Sequence, residues 1–176
     1  MSGPALFLDR DGIFNELVYR DGGVHSPRNW NEVKHYPLDG LHKIKELGFK
    51  LVMVTNQPDI ERNLLKQSFV DELNSYYQNL YSLDRVYVSP FAADEHPLKK
   101  PNPGLFLLAK NELNLDFSNS FILGDTEKDT LAAKRCGIKS ILWKRDYNRR
   151  VSSDFVVTNI NDLKAILSQF VSAAST

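Results

Sequence analysis

Cysteine is nearly missing from this 176-residue chain: Cys136 stands alone. A single thiol excludes an internal disulfide and a zinc site built from thiolates, and it fits a reducing compartment. Net charge is missing as well, because 22 basic and 22 acidic side chains cancel. No overall field draws the chain to nucleic acid or to an anionic membrane, so any anion-binding power must be local. No apolar run approaches the ~20 residues of a membrane span. Asp9, Arg10 and Asp11 break the first hydrophobic stretch before it could serve as a signal peptide. Repeats and low-complexity tracts are absent too, apart from Ser172 to Thr176, which reads as a flexible Ser/Ala tail. A soluble cytoplasmic protein is expected, with one domain over residues 1–171, since the length has room for one α/β core and little more.

What the sequence does have is a series of short apolar runs. Ala5 to Leu8, Lys50 to Val54, Val86 to Val88, Ser120 to Leu123 and Ser140 to Trp143 are too short for helices. Their apolar density predicts strands covered on both faces, with Phe155 to Val157 as a sixth. Helical patterns separate them. Leu38, Leu41, Ile44 and Leu47 recur before Gly48, and Leu65, Phe69, Leu73, Tyr76 and Leu80 mark a second face. Asn102 and Pro103 predict a cap and a first-turn proline for a helix carrying Leu105, Leu108 and Ala109. Leu131 to Cys136 closes at Gly137, and Leu163, Ile166, Leu167 and Phe170 line a last helix. This alternation predicts an α/β fold, a Rossmann-like parallel sheet with helices on both faces and ligands beyond the carboxyl ends of its strands. The segment from Gly12 to Pro37 is long for a strand-to-helix connection. Val18 and Tyr19, then Arg20-Asp21-Gly22-Gly23, then Val24 predict a glycine-turn hairpin, a small flap over the site.

Four segments that follow predicted strands carry chemistry. Asp9-Arg10-Asp11-Gly12 puts two carboxylates where the first strand ends, and their repulsion favours a bound cation or a shared proton. An ionised Asp9 can attack phosphorus while Asp11 gives a proton to the leaving oxygen and later takes one from water. Thr55-Asn56-Gln57 offers a hydroxyl, an amide and backbone N–H groups to phosphate oxygens. Lys99 and Lys100 stand ahead of a helix start, the wrong end for ammonium groups unless an anion compensates. Asp125 and Asp129, about one helical turn apart, present hard oxygen ligands suited to Mg²⁺. Each motif alone reads as an ordinary turn, cap or solvated charge pair; together they form a kit for phosphoryl transfer.

The combined set, Phe7 to Gly12, Val54 to Gln57, Lys99-Lys100-Pro101 with Pro103-Gly104, and Gly124 through Asp129, resembles the haloacid-dehalogenase-like (HAD) phosphatases across nearly the whole chain. More narrowly it is similar to their capless branch, which acts on heptose bisphosphate and histidinol phosphate. The resemblance implies a HAD-like fold without a large cap and a covalent aspartyl-phosphate route. It implies Asp9 as nucleophile, Asp11 as acid/base, and Mg²⁺ on Asp9, the main-chain carbonyl of Asp11, and Asp125. Thr55 and Lys100 fall to the phosphoryl group, and Asn56 and Lys99 to the substrate. Heptose-type relatives carry a Cys/His zinc loop before the lysine motif; Ser89 to Leu98 has no cysteine and only His96, so no structural zinc is expected. The expected partner is a small phosphorylated metabolite such as a sugar phosphate, with no nucleic acid, no membrane and a monomeric chain. A polynucleotide 3′-phosphatase and a receiver-like phospho-acceptor domain are the competing readings. His25 and Arg28 in the flap are candidates to meet the leaving group. The run Lys144, Arg145, Arg149, Arg150 is expected to be a solvated loop in which Arg149 or Arg150 touches a second anionic group, and Trp30 and Trp143 are expected to pack.

Overall fold

The structure, a computed structural model, describes residues 2–172. Its elements run β1 (Ala5–Leu8), β2 (Val18–Arg20), β3 (Gly23–His25), β4 (Lys50–Asn56), α1 (Gln67–Tyr81), β5 (Arg85–Ser89), α2 (Gly104–Leu113), β6 (Phe121–Gly124), α3 (Glu127–Cys136), β7 (Lys139–Trp143), β8 (Phe155–Val157) and α4 (Ile160–Ser172). Six of the strands pair in parallel in the order β5-β4-β1-β6-β7-β8, and β2 pairs with β3 as a separate hairpin. The winding direction reverses between β1 and β6, which opens a crevice at their carboxyl ends.

Period-two alternation explains the two cores. Leu6 and Leu8 of β1 face one side, against the segment Leu41–Leu47, α1 and α4; Ala5 and Phe7 face the other, against α2 and α3. Phe7 meets Phe106 of α2 edge-on at 4.9 Å, and every residue of β1 is fully buried. Register then places the chemistry: Leu8 lies opposite Leu123, and the Asp9 N–H donates to the Leu123 carbonyl at 3.0 Å. The first residue past β1 is thereby held beside the end of β6.

Several sequence expectations shift. Leu41–Leu47 is a 3₁₀ helix between two left-handed glycines, Gly40 and Gly48. The strict threefold recurrence of Leu38, Leu41, Ile44 and Leu47 is the period of that helix. On α1 the buried stripe is Phe69, Val70, Leu73 and Tyr77, while Tyr76 and Leu80 face solvent. Tyr77 wins the inner position because its ring packs on Phe14 at 5.0 Å and its hydroxyl reaches the Phe14 carbonyl. Helix α2 starts at Gly104 with Pro103 as its cap residue; Asn102 instead donates to the Asp94 and His96 carbonyls, and Leu108 is exposed. Ser172 belongs to α4, and residues 173–176 of the expected tail lie outside those described.

The flap is a hairpin. Asp21 and Gly22 at its tip both have positive φ, 51° and 78°, as the tight turn matching strand twist requires. Ion pairs brace it, Arg20 to Glu32 at 2.6 Å within the segment and Arg28 to Asp59 at 2.8 Å across to the loop after β4. No helix among the described residues is long and apolar enough to cross a membrane.

Candidate active site

The crevice between β1 and β6 opens into a cavity of about 640 Å³. Asp9, Asp11, Lys100, Asn56 and Gln57 line it, with Ser26 and His25 from the flap and Lys128 from α3. Asp9 Oδ1 accepts the Arg10 N–H at 2.8 Å and pairs with Lys100 Nζ at 2.9 Å. Lys100 Nζ also donates to Asp129 Oδ1 at 2.8 Å. Only 2 % of Lys100 is exposed, so its ammonium serves as a buried counter-charge between two acids. Burial opposes that charge, but Asp129 and Asp9 prevail and raise its pKa. Burial, with Asp129 and Asp125 nearby, raises Asp9 well above the usual carboxylate range despite Lys100. The two acids and the lysine sit on three segments that only the sheet brings together.

Asp11 is treated in the opposite way. Arg10, fully buried, presents Nε and Nη2 to its carboxylate at 3.2 Å and anchors Nη1 on Asn74 of α1. Asn15 Nδ2, Gln57 Nε2 and Ser26 Oγ add donors at 2.9, 2.7 and 2.7 Å. Burial would raise this pKa, yet the Arg10 charge and the Ser26, Asn15 and Gln57 hydrogen bonds hold it below the ordinary value. The geometry favours an ionised Asp11.

Asp125, at the end of β6, is fully buried. Its Oδ2 accepts from the Tyr147 hydroxyl, while Oδ1 is buried with no hydrogen-bond partner. Burial first, then Asp129, pushes its pKa up to about 7. Gly12 makes this packing feasible, since its φ is +87° and a Cβ there would overlap the Asp125 carboxylate. Asp125 does not cap α3. Thr126 does, in a capping box with Asp129, whose Oδ2 accepts from the Thr126 N–H and hydroxyl. One carboxylate oxygen each of Asp9, Asp125 and Asp129 lies within 4.8 Å of the others. Asp129 is already committed to Lys100 and Thr126, which leaves Asp9 and the unpartnered Asp125 oxygen. Hard donors in mutual repulsion with an orphaned buried oxygen fit a divalent cation of the Mg²⁺ type.

Other predicted residues fall differently. Thr55 is buried and is not part of the cavity wall; its hydroxyl accepts from Gln57 at 2.9 Å. Asn56 lines the cavity and also bonds the Lys100 backbone through both amide atoms, at 2.9 and 3.0 Å, and so helps position the lysine. Lys99 is buried and turned into its own loop, pairing with Asp94 at 2.7 Å and donating to the Ala92 carbonyl. His96 stacks on Phe91 and belongs to no cluster of potential metal ligands among the described residues. Arg149 pairs with exposed Asp146, and neither Arg149 nor Arg150 lines the cavity. Arg28 points to Asp59. Trp143 is buried, and Trp30, 45 % exposed, packs edge-on against Phe69 at 5.7 Å and Tyr76 at 6.0 Å. Sequence reasoning passed over Arg10, Asn15, Ser26 and Gln57 as the shell of Asp11. An arginine set between two aspartates directly after an apolar strand was the available signal.

A crevice in which Asp9, Asp125 and Asp129 gather around the buried Lys100 ammonium suits a charged ligand, and it holds the charges that an enzyme of phosphoryl transfer uses. Comparison with known proteins narrows this. The family described as haloacid dehalogenase-like hydrolase matches residues 30–137, more than half the chain, starting beyond Asp9 and Asp11. The D-glycero-beta-D-manno-heptose-1,7-bisphosphate 7-phosphatase of Yersinia pestis is 31% identical over 188 residues, covering 96% of this chain and 98% of its own. The phosphatase of that name from Helicobacter pylori (strain ATCC 700392 / 26695) is 34% identical over 148 residues, 80% of this chain and 83% of its own. The fold is that of the D,D-heptose 1,7-bisphosphate phosphatase of B. bronchiseptica, solved with magnesium and phosphate. The TM-score is 0.79 and the identity 20%, over 94% of this chain and 98% of that one. The chain belongs to the haloacid dehalogenase-like hydrolase family, and it is a phosphatase of that family.

Proposed function

We propose that the chain hydrolyses the phosphomonoester of a small sugar-like metabolite through an aspartyl phosphate on Asp9, with Mg²⁺ held by Asp9, Asp125 and the Asp11 carbonyl. One observation carries this reading: at the switch point of the sheet a carboxylate oxygen of Asp125 lies within 4.8 Å of one of Asp9, Asp125 Oδ1 is buried without a hydrogen-bond partner, and Lys100 is the buried counter-charge of Asp9. The bound cation supplies positive charge against the transferring phosphoryl oxygens. Asp9 Oδ1 is occupied by Lys100 and the Arg10 N–H, so Oδ2 is the attacking atom. The Oδ2–phosphorus bond forms as the ester bond breaks, and the departing oxygen takes a proton from Asp11. Water then attacks phosphorus, its proton passes to Asp11, and Asp9 is released.

The donor shell of Asp11 suits the second half-reaction, in which it must be ionised. For the first half it must carry a proton, so substrate has to draw donors away. Ser26 and Gln57 are the two shell members that line the cavity. Names of relatives similar over nearly the whole chain support a sugar phosphate. Among the residues lining the cavity, Arg62, Lys99 and Lys128 are balanced by Asp59, Asp94 and Glu127, a mixture that weighs against a polynucleotide. Membership in a hydrolase family removes the receiver-like reading.

The test is turnover of p-nitrophenyl phosphate with Mg²⁺ by wild type, Asp9→Asn and Asp11→Asn. A panel of sugar monophosphates, heptose 1,7-bisphosphate, histidinol phosphate and a 3′-phosphorylated oligonucleotide follows. Wild-type turnover by Asp9→Asn would end the covalent reading, and preference for the oligonucleotide would end the metabolite reading.

A further inference from the structure

The loop after β7, read from its sequence as a solvated basic run, folds inward at three points. Arg145 lays its guanidinium 3.7 Å from the centroid of Tyr36 and donates Nη2 and Nε to the Gly12 carbonyl at 2.8 and 3.2 Å. Asn148, 3 % exposed, donates to the Asp125 and Trp143 carbonyls, both at 2.9 Å. Tyr147 lies between them with its hydroxyl on Asp125 Oδ2. One short loop therefore grips the backbone at Gly12, the backbone at Asp125, and one oxygen of the Asp125 carboxylate.

We infer that Tyr147 is a positioning residue for the metal ligand. It occupies Asp125 Oδ2, and so fixes the carboxylate rotation that aims Oδ1 at the cation. The inference rests on the Mg²⁺ site of the proposed function and goes beyond it by giving the two oxygens of Asp125 separate tasks. Three observations converge. Oδ1 is the buried oxygen left without a partner. Gly12 has no side chain where a Cβ would overlap Oδ2, so room exists on that side for the carboxylate and its partner. Asn148 and Arg145 anchor the residues on either side of Tyr147, so that its ring is held even though 55 % of the residue is exposed. A carboxylate without such a partner rotates among several orientations, and each non-productive one lowers the effective affinity for metal.

Calorimetric titration of metal-free protein with Mg²⁺, without substrate, provides the test, alongside kcat measured as a function of Mg²⁺. Loss of the hydroxyl in Tyr147→Phe is expected to weaken Mg²⁺ binding by about tenfold or more, the usual effect of removing a ligand's hydrogen-bond partner. At saturating Mg²⁺, kcat is expected to return to within about threefold of wild type, because Tyr147 touches neither substrate nor phosphorus. Thermal unfolding in chelator separates this from a general structural role, which would lower the melting temperature without a selective change in metal affinity. Equal Mg²⁺ affinity in wild type and Tyr147→Phe would overturn the inference alone. A wild type that binds no Mg²⁺ would overturn both it and the metal-dependent reading beneath it.

Discussion

Replacing Lys100 by methionine removes the cation seated between Asp9 and Asp129 and keeps roughly the side-chain volume. The ammonium lies 2.9 Å from Asp9 Oδ1 and 2.8 Å from Asp129 Oδ1. At an effective dielectric of ~20, each contact represents about 6 kcal/mol of gross attraction. Desolvating the ammonium consumes several kcal/mol of this, and breaking such a buried arrangement by deleting one partner costs about 3–5 kcal/mol net. The stranded carboxylates can take up a proton, which caps the loss near the lower figure. Catalysis suffers separately. Losing one preorganised positive group beside the phosphoryl position lowers kcat by about 10²–10³-fold. Urea unfolding in chelator and again with saturating Mg²⁺ measures the first effect, and steady-state hydrolysis of p-nitrophenyl phosphate the second. The stability deficit should shrink with Mg²⁺, since a divalent cation answers the same repulsion. A Lys100→Met protein within about 1 kcal/mol of wild type in chelator, and within tenfold in kcat, would refute the role of Lys100 as shared counter-charge.

Gly12→Ala is expected to cost about 1–3 kcal/mol for a side chain at φ +87°. It should also abolish tight Mg²⁺ binding by displacing the Asp125 carboxylate, as calorimetry and urea unfolding would register. Asp9→Asn should eliminate turnover while raising the melting temperature in chelator, because burial and the neighbouring acids make the ionised carboxylate unfavourable there. Asp59 behaves with the opposite sign. Burial would raise it, but hydrogen bonds and charge from Arg28 and Arg62 depress its folded pKa. Its stabilising contribution is therefore present above about pH 4 and disappears as pH falls through the depressed value, so Asp59→Asn should flatten the acid limb of stability against pH. The same change unlatches Arg28 of the flap, and a several-fold rise in KM with little change in kcat is the expected kinetic signature.

Much of the architecture is legible in composition and spacing, because strands buried on both faces must be short and continuously apolar. The six strand segments stand within two residues of where those runs place them. Helix faces are less legible. Tyr76 and Tyr77 are equally good candidates for burial, and contact with Phe14, far away in sequence, decides between them. For the site, residue type announces the chemistry. Asp9, Asp11, Lys100 and Asp125 follow strands whose carboxyl ends share one edge, and the sheet brings them to one cavity or to its floor.

What each atom does was decided by the tertiary structure alone. Asn56 and Lys99 have the right chemistry for substrate contact and both line the cavity, but only the packed fold shows that one also holds a backbone 44 residues away and the other its own loop. Arg145 joins Gly12 across 133 residues, and Tyr147 joins Asp125 across 22. Local patterns carry periodicity and turn chemistry, and these are properties of neighbouring residues. A hydrogen bond satisfies a buried donor with whatever acceptor the packed fold delivers. That pairing exists only once β1, β4, β6 and β7 have aligned, and no spacing along the chain encodes it.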